Sequence, residues 1–117
     1  MVTNAGLVLA AEMLGASLEM FQRTMEYLKE REQFGVKIGS FQALKHRASK
    51  MFIEIELSKS VVLEALTAID ENRDNRAQRV SLAKAKLNDT LQLVTDEAVQ
   101  MHGGIGVTDE LDVVEGM

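Results

Sequence analysis

Not one proline interrupts the 117 residues of this chain, where average usage would place about six. Proline locks φ and removes a backbone donor, so its absence leaves any helix free to run on once begun. Aromatic residues make up only 4% of the chain, and Leu, Ala, Met, Glu and Lys dominate. These are strong helix formers, and together with the missing prolines they predict an all-α fold of long, unbroken helices.

The apolar pattern divides the chain into three such helices. The first is expected over residues 4–30, capped by Thr3 or Asn4, with a seam at Leu7, Ala11, Leu14, Leu18, Phe21, Met25 and Leu28. The second is expected over 40–71 from a cap at Ser40, with a seam at Phe41, Leu44, Ala48, Met51, Ile55, Ser58, Val62, Ala65 and Ile69. Ser58 alone breaks that apolar series, and a serine on a seam can bond back to its own turn. Asn72-Arg73-Asp74-Asn75 is a turn by composition. The third helix is expected over 76–102, with Val80, Ala83, Leu87, Leu91, Val94, Ala98 and Met101 inward. Gly103-Gly104 is expected to stop it, leaving a short irregular tail over 103–117. Short connections make neighbours antiparallel, so the architecture is a single up-down-up bundle. Phe52, Leu57, Leu63 and Leu66 widen the apolar surface of the second helix beyond one stripe. Such a helix expects more than one neighbour, and a fourth helix from another subunit would supply it.

Composition excludes several functions. A formal charge of −5 argues against nucleic acid, since phosphate binding needs a basic patch. No run of 18 apolar residues exists to span a membrane, and no secretory leader is apparent after Met1. With no cysteine, thiol catalysis and Cys-His zinc sites are out, and the cytoplasm is the expected setting. A di-iron bundle needs Glu-x-x-His on two helices, and no such pair occurs. Glu12, Glu19 and Glu26 recur every seven residues as a solvated stripe does, and the seven methionines serve as core filling. His46, within Lys45-His46-Arg47, reads as part of a solvated basic face; His102 reads equally as a helix cap or a site-lining group.

Two stretches remain. The first is EREQFGVKIGSFQALKHR, residues 30–47, a long connection that keeps Phe34, Val36 and Ile38 and sets Arg31 at its mouth. The second is AVQMHGGIG, residues 98–106, where a glutamine amide adjoins bare glycines. The second follows a helix rather than opening one, so it is neither a P-loop nor a Rossmann turn. In an up-down-up bundle the first and third helices end at the same pole, so Arg31 and Gln100 are expected to converge.

Together, Tyr27-x-x-x-Arg31-x-Gln33-Phe34-Gly35-x-x-Ile38-x-x-Phe41-Gln42 and Ala98-Val99-Gln100-x-x-Gly103-Gly104-x-Gly106 closely resemble two signatures of the acyl-CoA dehydrogenase family. The likeness runs from about Gly6 to Asp112 and is to that family's C-terminal helical bundle, with its last helix missing or supplied by another subunit. The resemblance implies FAD-dependent α,β-dehydrogenation of an acyl-CoA thioester, with a carboxylate taking the α-proton and the flavin taking the hydride. It also implies a homo-oligomer, dimer or tetramer, or partner subunits that supply the missing domains. By the same resemblance Arg31 meets the FAD diphosphate, Gln33 and Phe34 line the cofactor, and Gln42 lies near the adenine end. Gln100, Gly103 and Gly104 match the segment that touches the diphosphate and adenosine portions. No catalytic base is assigned: Glu115 follows Gly106 too closely to match the family's usual glutamate. This chain alone is therefore expected not to turn over an acyl-CoA. The alternative is a helical oligomerisation module, derived from the family and without catalytic function.

Overall fold

The computed structural model describes the backbone of residues 2–33 and 38–115, and the side-chain surroundings of residues 4–31 and 42–103. Three helices account for it: α1 (Val2–Gln33), α2 (Ile38–Asp70) and α3 (Arg76–Glu115). No strand occurs among the described residues. A Cβ on Gly6 would meet Val80, and at the other end the Tyr27 ring lies on His102, so α1 and α3 run parallel. Ser58 meets Thr90 and Arg47 meets Glu97, so α2 runs antiparallel to α3. Each helix packs along the other two in a rod of 66 × 19 × 16 Å. No helix among the described residues is long and apolar enough to cross a membrane.

The third helix departs from expectation. Gly103 and Gly104 do not end it; it continues as one 40-residue helix to Glu115, where an irregular tail was predicted. Glycine inside a helix costs about 1 kcal/mol relative to alanine, a penalty and not a prohibition. The residues that follow contain no proline to enforce a stop. By contrast, the turn after α2 is where expected and is closed by specific bonds. The Arg73 N–H donates to the Ala68 carbonyl at 2.9 Å and the Asn72 N–H to that of Ile69 at 3.0 Å, a Schellman closure. Asn72 carries the left-handed conformation this closure needs, at φ 54°, and asparagine is among the few residues that tolerate it.

The core has two apolar clusters with hydroxyls between them. Leu28, Ala48, Met51, Ile55, Val94, Ala98 and Met101 fill one end. Ala10, Met13, Ala65, Val80, Ala83 and Leu87 fill the other. Along each helix a buried hydroxyl separates the two: Ser17 on α1, Ser58 on α2, Thr90 on α3. None is left unbonded. Ser17 Oγ donates to the Met13 carbonyl at 2.9 Å and Ser58 Oγ to that of Glu54 at 2.8 Å. With its proton so placed, Ser58 accepts from the Thr90 hydroxyl at 2.7 Å. The expected back-bond of Ser58 is present, and it extends across to α3.

Among the described residues the seams of α2 and α3 lie where the periodicity put them, but that of α1 is displaced by one residue as far as Thr24, with Leu28 buried where expected. Its buried line is Gly6, Ala10, Met13, Ser17, Thr24 and Leu28, while Ala11 is exposed and Leu7, Leu14, Leu18, Phe21 and Met25 are half-buried flanks. Small residues hold the line of closest approach because they let two helix backbones come near. At Gly6 an added Cβ would stand 2.8 Å from Val80 Cγ1, whereas at Gly15 nothing lies within 4 Å. Gly15→Ala should therefore stabilise the fold by about 0.5–1 kcal/mol. Gly6→Ala should be net destabilising, because buried, β-branched Val80 cannot turn aside. Urea denaturation of the two variants checks both signs.

On its outer side α2 keeps a broad apolar surface in solvent. Phe52, Ile53, Leu57, Leu63 and Leu66 are all exposed, Leu63 to 62%. This is the surface anticipated for a further neighbour.

Candidate functional site

The pole where α1 ends against α3, which itself runs on, carries the residues singled out by sequence. Leu28 and Met101 are fully buried there and lock the two helices side by side. Next to them in the chain, the Tyr27 ring lies on His102, with centroids 4.2 Å apart. The Arg31 guanidinium lies over the Tyr27 ring, 5.1 Å from its centroid. A cation over an aromatic face is attracted by the ring quadrupole, so Tyr27 gives Arg31 a defined seat. His102 is turned by its own helix: Nδ1 lies 2.7 Å from the Ala98 carbonyl oxygen. A carbonyl can only accept, so Nδ1 bears the proton in that bond. Since α3 does not end here, His102 is not a C-terminal cap, and it lines the pole instead.

Gln100, two residues before His102 on α3, is exposed. Its Oε1 accepts a hydrogen bond from Arg47 Nη2 on α2. Arg47 also forks onto Glu97, with Nε 2.6 Å from Oε2 and Nη2 3.2 Å from Oε1. Glu97 and Gln100 are three apart on α3 and so share a face. Neither Arg47 nor Glu97 was singled out by sequence. Lys45 and His46 are exposed as a basic face should be, but Arg47 is half-buried and turned onto α3. The signal was present: position 47 is three after Leu44 and four before Met51, at the edge of the seam.

The remaining predicted residues fall out as follows. Gly103 is exposed, with no atom within 4 Å of where a Cβ would stand. Gly104 is the next residue of α3, and only its backbone is described. Within a helix the N–H of each residue is taken up by the carbonyl four residues before, so these glycines offer bareness and not free donors. Gln42 is exposed near the start of α2, five residues before Arg47. Gln33 closes α1 with its side chain outside the described residues, and Phe34 lies outside them altogether.

This donor set suits an anion with a polar organic extension. Arg31 carries a fixed charge and forked donors, Gln100 carries amide N–H groups, and Gly103, three residues after Gln100, leaves open room where a side chain would stand. A dinucleotide diphosphate fits those requirements. Among the described residues no group of three or more His, Cys, Asp or Glu side chains could hold a metal ion.

Comparison with known proteins agrees with the fold. The family profile described as "Acyl-CoA dehydrogenase, C-terminal domain" matches residues 2–117. Acyl-CoA dehydrogenase IpdE2 of Mycolicibacterium smegmatis is 38% identical over 94% of this chain and 33% of its own length. The short/branched chain specific acyl-CoA dehydrogenase of Bos taurus mitochondria is 30% identical over 90% of this chain and 24% of its own. The caffeyl-CoA reductase-Etf complex subunit CarC of Acetobacterium woodii is 32% identical over 89% of this chain and 27% of its own. The chain thus spans a third or less of the length of these curated relatives. No solved structure matches it at a significant level. An all-α bundle, the paired signatures and a profile match across nearly every residue lead to one assignment: the chain belongs to the acyl-CoA dehydrogenase family and is its C-terminal helical domain.

Proposed function

We propose that this domain serves FAD-dependent α,β-dehydrogenation of a CoA thioester in the cytoplasm, with the α1–α3 pole meeting the diphosphate and adenosine portions of FAD. What supports this reading is that Arg31 is seated on Tyr27, that the Tyr27 ring lies on His102 of α3, and that Gln100 and open-faced Gly103 fall within two residues of His102 in the chain. Arg31 would hold the diphosphate charge, and the Gln100 amide would donate beside it. Gln33, Phe34 and Gln42, which follow Arg31 in chain order, would line the cofactor, and Gly104 would extend the bare corner. The chemistry the flavin supplies when bound is acceptance of a hydride. The substrate class follows from the relatives, whose names share a CoA thioester.

The exposed apolar side of α2 favours a second role, assembly of subunits or docking of the other domains of such an enzyme. It would also suffice for an oligomerisation module without catalytic function. Equilibrium dialysis of the purified chain against FAD and against riboflavin separates the two readings. The cofactor reading expects retention of FAD and little of riboflavin, which lacks the diphosphate and adenosine. Equal retention of both, or of neither, leaves only the assembly reading, which sedimentation at micromolar concentration then tests. A well-behaved monomer would remove it.

A further inference from the structure

Among the described residues, Arg47 and Glu97 form a forked polar contact between α2 and α3, and Arg47 reaches the predicted site through Gln100. Resting on the cofactor reading above, we infer that Arg47 is a positioning residue: it fixes which end of the Gln100 amide faces the dinucleotide.

A glutamine amide is nearly symmetric in shape and opposite in chemistry at its two ends. Left alone at an exposed position, it presents its oxygen to an incoming phosphate about as readily as its nitrogen, and two oxygens repel. Arg47 has donors only, so the Gln100 atom it meets must be Oε1. With Oε1 held, Nε2 and both its N–H groups are left for an acceptor. An anion then meets a donor without the amide having to turn.

Glu97 has two effects. It takes Arg47 in a forked pair, which fixes the plane of the guanidinium and hence the direction of the bond to Gln100. It also offsets the Arg47 charge, so that Arg47 does not compete with Arg31 for the diphosphate.

The test is a double-mutant cycle in the full chain, read as FAD affinity by flavin fluorescence, with the Gln100 side-chain amide followed by 15N NMR. Arg47→Met keeps the apolar stem and removes every donor. It should weaken FAD threefold to tenfold in the wild-type background and have no further effect when Gln100 is already leucine. Arg47→Lys should recover part of the loss, since an ammonium donates to Oε1 but cannot fork. In the absence of ligand, the Gln100 amide pair should move toward its solvent-exposed position in Arg47→Met and stay put in Arg47→Lys. Thermal melts identify any variant that simply fails to fold, and Arg47→Lys then carries the cycle. Equal losses from Arg47→Met in both backgrounds, or an unmoved Gln100 amide, overturn the inference. If Gln100→Leu itself leaves FAD affinity unchanged, the cofactor reading fails, and this inference with it. If Gln100→Leu weakens FAD while Arg47→Met does not, only the inference fails.

Discussion

Leu87→Ala will lower the unfolding free energy by about 2–5 kcal/mol, the largest single-site loss expected outside the pole. Leu87 is fully buried among Ala10, Met13, Ala65, Val80 and Ala83. Those neighbours are mostly small, on helices already in close contact, so they cannot collapse into the space a leucine leaves. The cost is then the lost transfer energy plus most of a cavity. Urea titration should show a lower midpoint with an unchanged slope, because the surface exposed on unfolding is the same. A loss below 1 kcal/mol would mean that this end of the bundle repacks freely, against the close approach marked by Gly6 and Val80.

Arg31→Met will weaken FAD binding by about 10- to 100-fold, the magnitude of one or two charge-assisted hydrogen bonds. Methionine keeps the apolar stem against Tyr27 and removes the charge and the fork. Arg31→Lys keeps the charge without the fork and should fall between the two, since an ammonium meets a diphosphate as a point charge. The fold should tolerate both changes, as Arg31 lies beyond the last fully buried residue of α1, Leu28. Flavin fluorescence titration of the three proteins gives the order. Indistinguishable affinities for wild type and Arg31→Met would remove Arg31 from the site.

The bundle was legible because its seams obey a simple period. Leu87, Val94 and Met101 on α3, and Met51, Ile55 and Ala65 on α2, are buried where spacing put them. The miss on α1 shows the limit of reading hydrophobicity as burial. Where helices approach closely, Gly6, Ala10, Ser17 and Thr24 occupy the contact line, and the larger Leu14, Leu18 and Phe21 are displaced to its shoulders. Helix ends were the weaker part. A Gly-Gly pair marks a stop only if the chain has somewhere else to go, and here α3 continues.

At the pole, paired motifs pointed to Arg31, Gln100 and Gly103, but not to the contacts made around them. Tyr27 on His102 and Arg47 on Glu97 join residues 75 and 50 positions apart in the chain. Contacts of that range follow from the register between helices, and no local pattern encodes it.

The central claim is that this pole recognises the diphosphate and adenosine part of a flavin dinucleotide, and amide chemical-shift mapping of the chain tests it most directly. On addition of FAD, and equally of ADP, the account predicts shifts confined to Tyr27, Arg31, Gln33, Phe34, Gln42, Gln100, Gly103, Gly104 and their immediate neighbours, with riboflavin producing none. Shifts along Phe52, Leu57, Leu63 and Leu66, or no saturable shift at the pole, would contradict it.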